Sequence, residues 1–174
     1  MQERILDEIG NLLNIKIIKH KVIHIGEESQ KQEFKTSIVF PPNNRGNEDI
    51  EQQSDNIIRS ILSMMNAKGG VLYIGVNDDG NVVGIHNDLA YFSENMLCGE
   101  SKAKDNFLNH FSCLLTDRLG AINAAKFNYY FKEFEDYTIF QVDIPVIHDS
   151  NISTIRVGNT VQKINTDSMS FRKE

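Results

Sequence analysis

The chain has little of what would assign it quickly to a class. It carries only two cysteines, Cys98 and Cys113, in 174 residues, and nothing around them demands a bridge. They are read as free thiols of a reducing cytoplasm, because disulfides persist mainly in oxidising compartments. Proline occurs three times, as Pro41-Pro42 in a loop and as Pro145 at a strand end. No run of roughly 18 apolar residues is present, so no membrane span is expected. The opening MQERILDEIG carries acidic residues where a secretory signal needs an apolar core, which also predicts a cytoplasmic protein. Internal repeats and low-complexity segments are missing too.

Positive charge is the other deficit. Eighteen Lys and Arg stand against 24 Asp and Glu, for a net charge of −6. Nonspecific nucleic-acid binding draws most of its strength from Lys and Arg neutralising phosphates. The chain is therefore no general basic coat, and a polynucleotide partner would require a local basic face or bridging metal ions. No GxxxxGK[ST], GxSxG or HExxH occurs, so phosphate loop, nucleophile elbow and helical zinc motif are all lacking. His110 and Cys113 fall one helical turn apart, but two potential ligands do not make a zinc site. What remains is an ordinary globular composition, 40% hydrophobic and 24% charged, long enough for one domain with a sizeable core.

The stretch Asn56–Ile85 organises the rest. Ile57, Ile58, Ile61, Leu62, Met64 and Met65 recur at helical spacing and predict one wide apolar face. Gly69-Gly70 supplies the positive φ that ends a helix. Val71–Val76 reads as a strand covered on both faces, Asn77-Asp78-Asp79-Gly80 as a turn, and Val82–Ile85 as the returning strand of a hairpin. Asp49 or a neighbour is expected to cap the helix.

Upstream, Ile5, Leu6, Ile9, Leu12 and Leu13 predict an amphipathic helix, and Ile15–Ile25 a basic strand or linker. Glu27–Lys35 reads as a second strand or strand entry. Downstream, Asn87-Asp88 is expected to cap a short helix running to Met96. Ser101–Leu119 predicts a longer helix with Phe107, Leu108, Phe111, Leu114, Leu115 and Leu119 on its apolar face and Gly120 at its stop. Phe127–Phe131 and Tyr137–Ile144 read as paired strands, and Ile155–Val157 with Val161–Ile164 as a final hairpin. The tail from Thr166 is polar and expected to fray. Strands and helices come mostly in separate clusters, which predicts an α+β domain with a mixed or mainly antiparallel sheet flanked by helices.

Chemistry points to carboxylates. Glu28 and Glu33 precede the central helix, and Asp78 and Asp79 follow the buried strand. If the Glu33 strand pairs beside the Val71 strand, these groups converge on one edge, where mutual repulsion would be relieved by Mg²⁺ or Mn²⁺. Such an ion polarises phosphodiesters and activates water. The plainer alternative stands beside it: Asp-Asp-Gly is what a tight turn requires, and strand glutamates are often merely exposed.

The blocks Glu28-Ser29, Glu33-Phe34-Lys35, Met65–Gly70, Tyr73–Gly80 and Val83-Gly84-Ile85 follow in that order and resemble the Schlafen AlbA-type domain. Ile155–Asn159 is similar to that family's closing R-x-G-[NS] element. The resemblance divides the chain into an N-terminal helix and strand or linker (1–25), the domain (26–165) and a tail (166–174). The family is described as DNA-binding and also as a divergent ATPase-like domain, and many bacterial relatives are described as transcriptional regulators. In Schlafen nucleases that cut transfer and ribosomal RNA, the positions matching Glu28, Glu33 and Asp78 form the active site, and the basic residue of EFK matches Lys35. Asn77 departs from the acidic residue usual there, and Lys68 from a small polar one. Those nucleases also clasp RNA between two similar lobes and carry a zinc-binding Cys/His set that is missing here. A chain of this length holds one lobe, so the nuclease reading calls for a homodimer to restore two.

The expected function is nucleic-acid binding, to DNA or RNA, through Lys16, Lys19, Lys21, Lys31, Lys35, Arg45, Arg156 and Lys163. The alternative is a metal-dependent endoribonuclease using Glu28, Glu33 and Asp78. ATP binding and a protein-interaction role for the first helix rank below these.

Overall fold

A computed structural model describes residues 22–42, 47–94, 100–134 and 136–146, together with the backbone of strands at 154–157 and 160–163. In chain order the elements are β1 (Gln32–Lys35), α1 (Ile50–Asn66), β2 (Gly70–Ile74), α2 (His86–Glu94), α3 (Glu100–Leu119), α4 (Ala121–Ala124), β3 (Asn128–Phe134), β4 (Tyr137–Ile144), β5 (Thr154–Val157) and β6 (Thr160–Lys163). The expected N-terminal helix, most of the basic strip and the polar tail lie outside the described residues. No helix among the described residues is long and apolar enough to cross a membrane.

Four strands form one mixed sheet in the order β1-β2-β4-β3. β1 runs parallel to β2, with Glu33 opposite Leu72, and the other two pairings are antiparallel. A parallel pair cannot be closed by a tight turn, and α1 supplies the crossover. β5 and β6 pair separately, with Arg156 opposite Val161 and Lys163 opposite Thr154. The domain is α+β, as the clustering of elements predicts.

α1 begins where Asp49 accepts a hydrogen bond from the Gln52 amide at 3.0 Å, with Glu51 in the first turn complementing the helix dipole. Ile57, Ile58, Ile61, Leu62, Met64 and Met65 are buried against the sheet, matching the spacing in the sequence. At the far end the Gly69 amide donates to the Met64 carbonyl at 2.8 Å, and Gly69 takes φ +65°. Gly70 then enters the sheet so closely that an added Cβ would lie 2.5 Å from the Lys31 carbonyl oxygen. No larger residue fits between α1 and β1 at that point.

Alternate residues of β4 serve two faces, as strand geometry requires. Phe140 and Val142 join the main core beneath α1, α2 and α3. Ile139 joins a smaller cluster on the opposite face with Phe34, Val76 and Val82, against which Ile23 and Ile25 pack. Phe140 is the hub of the main core, with ring centroids 4.9 Å from Phe107, 5.0 Å from Phe111 and 5.2 Å from Phe131. Arg118 on α3 pairs with Asp55 on α1 at 2.9 Å, tying the two long helices together.

Two local expectations need correction. Val82–Ile85 returns only briefly: a single bridge links Val76 to Val82, and the Val83 and Gly84 amides both donate to the Gly75 carbonyl. β2 ends at Ile74 because Gly75, at φ +97°, turns the chain aside, and the Val82 and Ile85 amides bond to Ile23 and Thr138. Of the expected strand or linker at Ile15–Ile25, the described residues 22–25 carry an isolated bridge, His24 to Asn81. Asp88 lies inside the first turn of α2 rather than capping it, and its carboxylate serves a distant loop.

Phe140→Ala should cost about 3–5 kcal/mol in urea unfolding, because it removes the ring on which several others converge. A loss below about 1 kcal/mol would show that the core closes without that hub.

Candidate functional site

β1 is an edge strand, and its backbone alternates between two duties. The carbonyls of Lys31 and Lys35 face β2, accepting from Val71 at 2.8 Å and Gly75 at 2.8 Å. The amides of Gln32 and Phe34 therefore point outward, where an edge strand leaves donors unpaired. The preceding residues fold back to meet them. Gln32 and Ser29 exchange backbone hydrogen bonds at 3.2 and 2.8 Å, and Glu28 Oε1 accepts from the Phe34 amide at 3.1 Å. Glu28 thus seals the edge of the sheet.

Phe34 packs in the smaller cluster, so strand alternation turns Glu33 and Lys35 to the α1 side. There Glu33 Oε1 accepts from Lys35 Nζ at 2.6 Å and from the Ser60 hydroxyl of α1 at 2.9 Å. Asp78 is exposed at the turn that follows β2. Asn77 closes this turn: its side chain accepts from the Asn81 amide at 2.8 Å and its carbonyl from Gly80 at 2.9 Å. The amide at a position where the family usually has an acid is thus engaged in holding Asp78 in place. Gly80 is pressed against the Gly26 carbonyl, which a Cβ would overlap, so the turn is docked on the segment leading to Glu28.

Glu28, Glu33, Lys35 and Asp78 consequently share one rim. The Glu28 pKa is raised, first by loss of water where its tip folds onto the strand, despite the Phe34 hydrogen bond that favours the charged form. The nearby charges of Glu33 and Asp78 raise it further, and Lys35 opposes them. Among the described residues, however, no group of three His, Cys, Asp or Glu side chains could hold a metal ion. Glu28 and Glu33 are instead committed to Phe34, Lys35 and Ser60. The rim as it stands does not fit the expected Mg²⁺ or Mn²⁺, and no chemical step is routed through an ion.

Lys31 is exposed at the start of β1. Lys16, Lys19, Lys21 and Arg45 lie outside the described residues, and Arg156 and Lys163 are placed only by their strands. Cys113 is exposed and free, whereas Cys98 lies outside the described residues. His110 is partly buried beside Phe92, with ring centroids 5.5 Å apart, and burial lowers its pKa.

A cleft of about 740 Å³ opens beyond the ends of the parallel pair, between the loop after β1 and the start of α2. Its floor is a buried polar knot that sequence reasoning missed. Asp88 Oδ1 accepts from the Ser37 hydroxyl at 2.5 Å and from the amides of Ile38 and Val39 at 3.2 and 3.1 Å. Gln53 of α1 donates to the carbonyls of Ser37 and Phe40 at 2.8 and 3.3 Å. Fifty residues separate the partners in sequence, so no local spacing could announce the knot. Ser60 was missed for the same reason.

The Schlafen, AlbA_2 family model matches residues 28–165. The chain belongs to that family. The match begins at Glu28 and takes in the rim, the cleft and both hairpins of this Schlafen AlbA_2 chain. No curated protein matches it. Among solved structures, the DIP2311 protein of Corynebacterium diphtheriae aligns with a TM-score of 0.45 at 15% identity, covering 94% of this chain. The chain spans 27% of that protein's length.

Burial lifts the Asp88 pKa from 3.8 to about 6, outweighing the hydrogen bonds from Ser37, Val39 and Ile38 that favour its charge. A folded pKa above the unfolded one stabilises the native state fully below pH 3.8, and that contribution is lost as pH rises through 6. The stability of the wild type relative to Asp88→Asn should therefore fall by roughly 3 kcal/mol at most between pH 4 and 7. Urea unfolding at a series of pH values measures it, and a flat difference would refute the raised pKa.

Proposed function

We propose that the chain is a nucleic-acid-binding module with a regulatory role, meeting DNA or RNA at the rim of β1 and the turn after β2. The observation that carries this reading is the family match over residues 28–165, joined to the DNA binding that the motif resemblance implies. Exposed Lys31 lies at the start of β1, and the hairpin bearing Arg156 and Lys163 falls within the matched segment. Lys16, Lys19, Lys21 and Arg45 add the remaining positive charge of the proposal. Lys35 serves differently: bonded to Glu33 and to the Phe34 carbonyl, it first balances the carboxylates and reaches a phosphate only by exchanging partners.

Contacts of this kind make affinity fall steeply with salt, because each phosphate neutralised releases counterions. Fluorescence anisotropy with single- and double-stranded oligonucleotides should give a log K that declines linearly with log salt. Lys31→Ala should flatten the slope by about 0.7–0.9. Absence of salt-sensitive binding to every oligonucleotide at low ionic strength would overturn the proposal.

A second reading is an endoribonuclease acting on structured RNA through Glu28, Glu33 and Asp78, assembled as a homodimer that brings two rims to one substrate. It is favoured by the charges of Glu33 and Asp78 acting together on Glu28. Incubation of transfer RNA with the protein, with and without added Mn²⁺, tests it. Asp78 is exposed, so Asp78→Ala should leave stability within about 0.5 kcal/mol and abolish cleavage. Cleavage that survives the substitution removes Asp78 from the chemistry.

A further inference from the structure

The cleft beyond β1 and β2 has a chemistry of its own. Phe40 and Tyr91, both partly exposed, meet edge to face with centroids 6.2 Å apart and line it with aromatic surface. Thr36, His86 and Asn87 add hydrogen-bonding groups, and Asn87 and His86 are exposed. At about 740 Å³ it falls within the roughly 300–1,000 Å³ of small-ligand pockets.

Its charge narrows the occupant. The described lining residues include Glu48, which is exposed, and Asp88, with no Lys or Arg among them. A phosphate placed against exposed Glu48 meets a like charge, which disfavours a nucleotide bound by its phosphates on that side. A planar, uncharged heteroaromatic group with hydrogen-bond donors meets none of that cost. It stacks on Phe40 or Tyr91 and uses Asn87, Thr36 and His86 along its edge. The polar knot of Asp88, Ser37 and Gln53 keeps the wall in place before any ligand arrives.

Thr36 directly follows Lys35, so the cleft opens beside the rim assigned above to polynucleotide. We infer that the cleft is a nucleobase pocket, taking one unpaired base from a single strand whose backbone stays outside at the rim. This deepens the nucleic-acid reading and rests on it. It makes single-stranded or looped substrate the preferred class, because a base held in a duplex cannot leave its stack without cost.

Free nucleosides and ATP are the probes, titrated into the full chain while the backbone amide signals of Thr36, His86 and Asn87 are followed by NMR. Adenosine, guanosine, cytidine or uridine should perturb them, and ATP should bind more weakly than adenosine. Tyr91→Ala should weaken single-stranded oligonucleotide binding about 5- to 100-fold, the range for one stacked base. Asn87→Ala, at an exposed position that leaves folding intact, should weaken nucleosides and oligonucleotides together. Oligonucleotide binding that neither substitution changes, with no nucleoside response, would overturn the pocket and leave the nucleic-acid reading standing. Nucleoside binding without any oligonucleotide binding would do the reverse. ATP binding more tightly than adenosine would overturn the assignment of an uncharged base.

Discussion

The parallel pairing of β1 with β2 is the constraint on which the rest of the molecule depends. Because no tight turn can join two parallel strands, the chain must leave the sheet, cross it as α1 and return through Gly69-Gly70. That route places the ends of β1 and β2 side by side and leaves α1 over one face. Glu33 can therefore reach Ser60, the turn bearing Asp78 can lie near Glu28, and the loop after β1 can face α2. A hairpin at this position would have scattered the same residues to opposite ends of the sheet.

Two polar devices then hold the ends in place. On the outer edge, Glu28 and Ser29 satisfy backbone groups that would otherwise face water. On the inner side, Asp88 and Gln53 fix the loop 37–40 from two different helices. Both cost something, since removing carboxylates from water raises their pKa. The motif residues Glu28 and Glu33 are thus part of the structure. Glu28 and Glu33 are not free to serve a ligand without giving up hydrogen bonds to Phe34, Lys35 or Ser60.

Much of the architecture was legible because it is written in local period. The apolar face of α1, the aromatic face of α3 and the alternation in β3 and β4 each repeat within a few residues, and each element formed where expected. The Asn77–Gly80 turn was legible for the same reason. Misreadings came where long-range contacts decided. Val82–Ile85 has the composition of a strand, but its amides divide among Ile23, Gly75 and Thr138 instead of running along β2. Asp88 resembles a helix cap in sequence, yet its partners lie some fifty residues away. The motif blocks identified the family and grouped Glu28, Glu33 and Asp78, but nothing in their spacing foretold that two of the three would be engaged by Phe34, Lys35 and Ser60.

The seal at the edge of β1 has one more consequence. An outward amide with no acceptor is an invitation to any passing strand, and Glu28 is what declines it at Phe34. Loss of this glutamate would therefore change what the protein adheres to as well as any chemistry at the rim. A variant silenced there and found clumped would speak of a sticky border before it spoke of a missing catalyst.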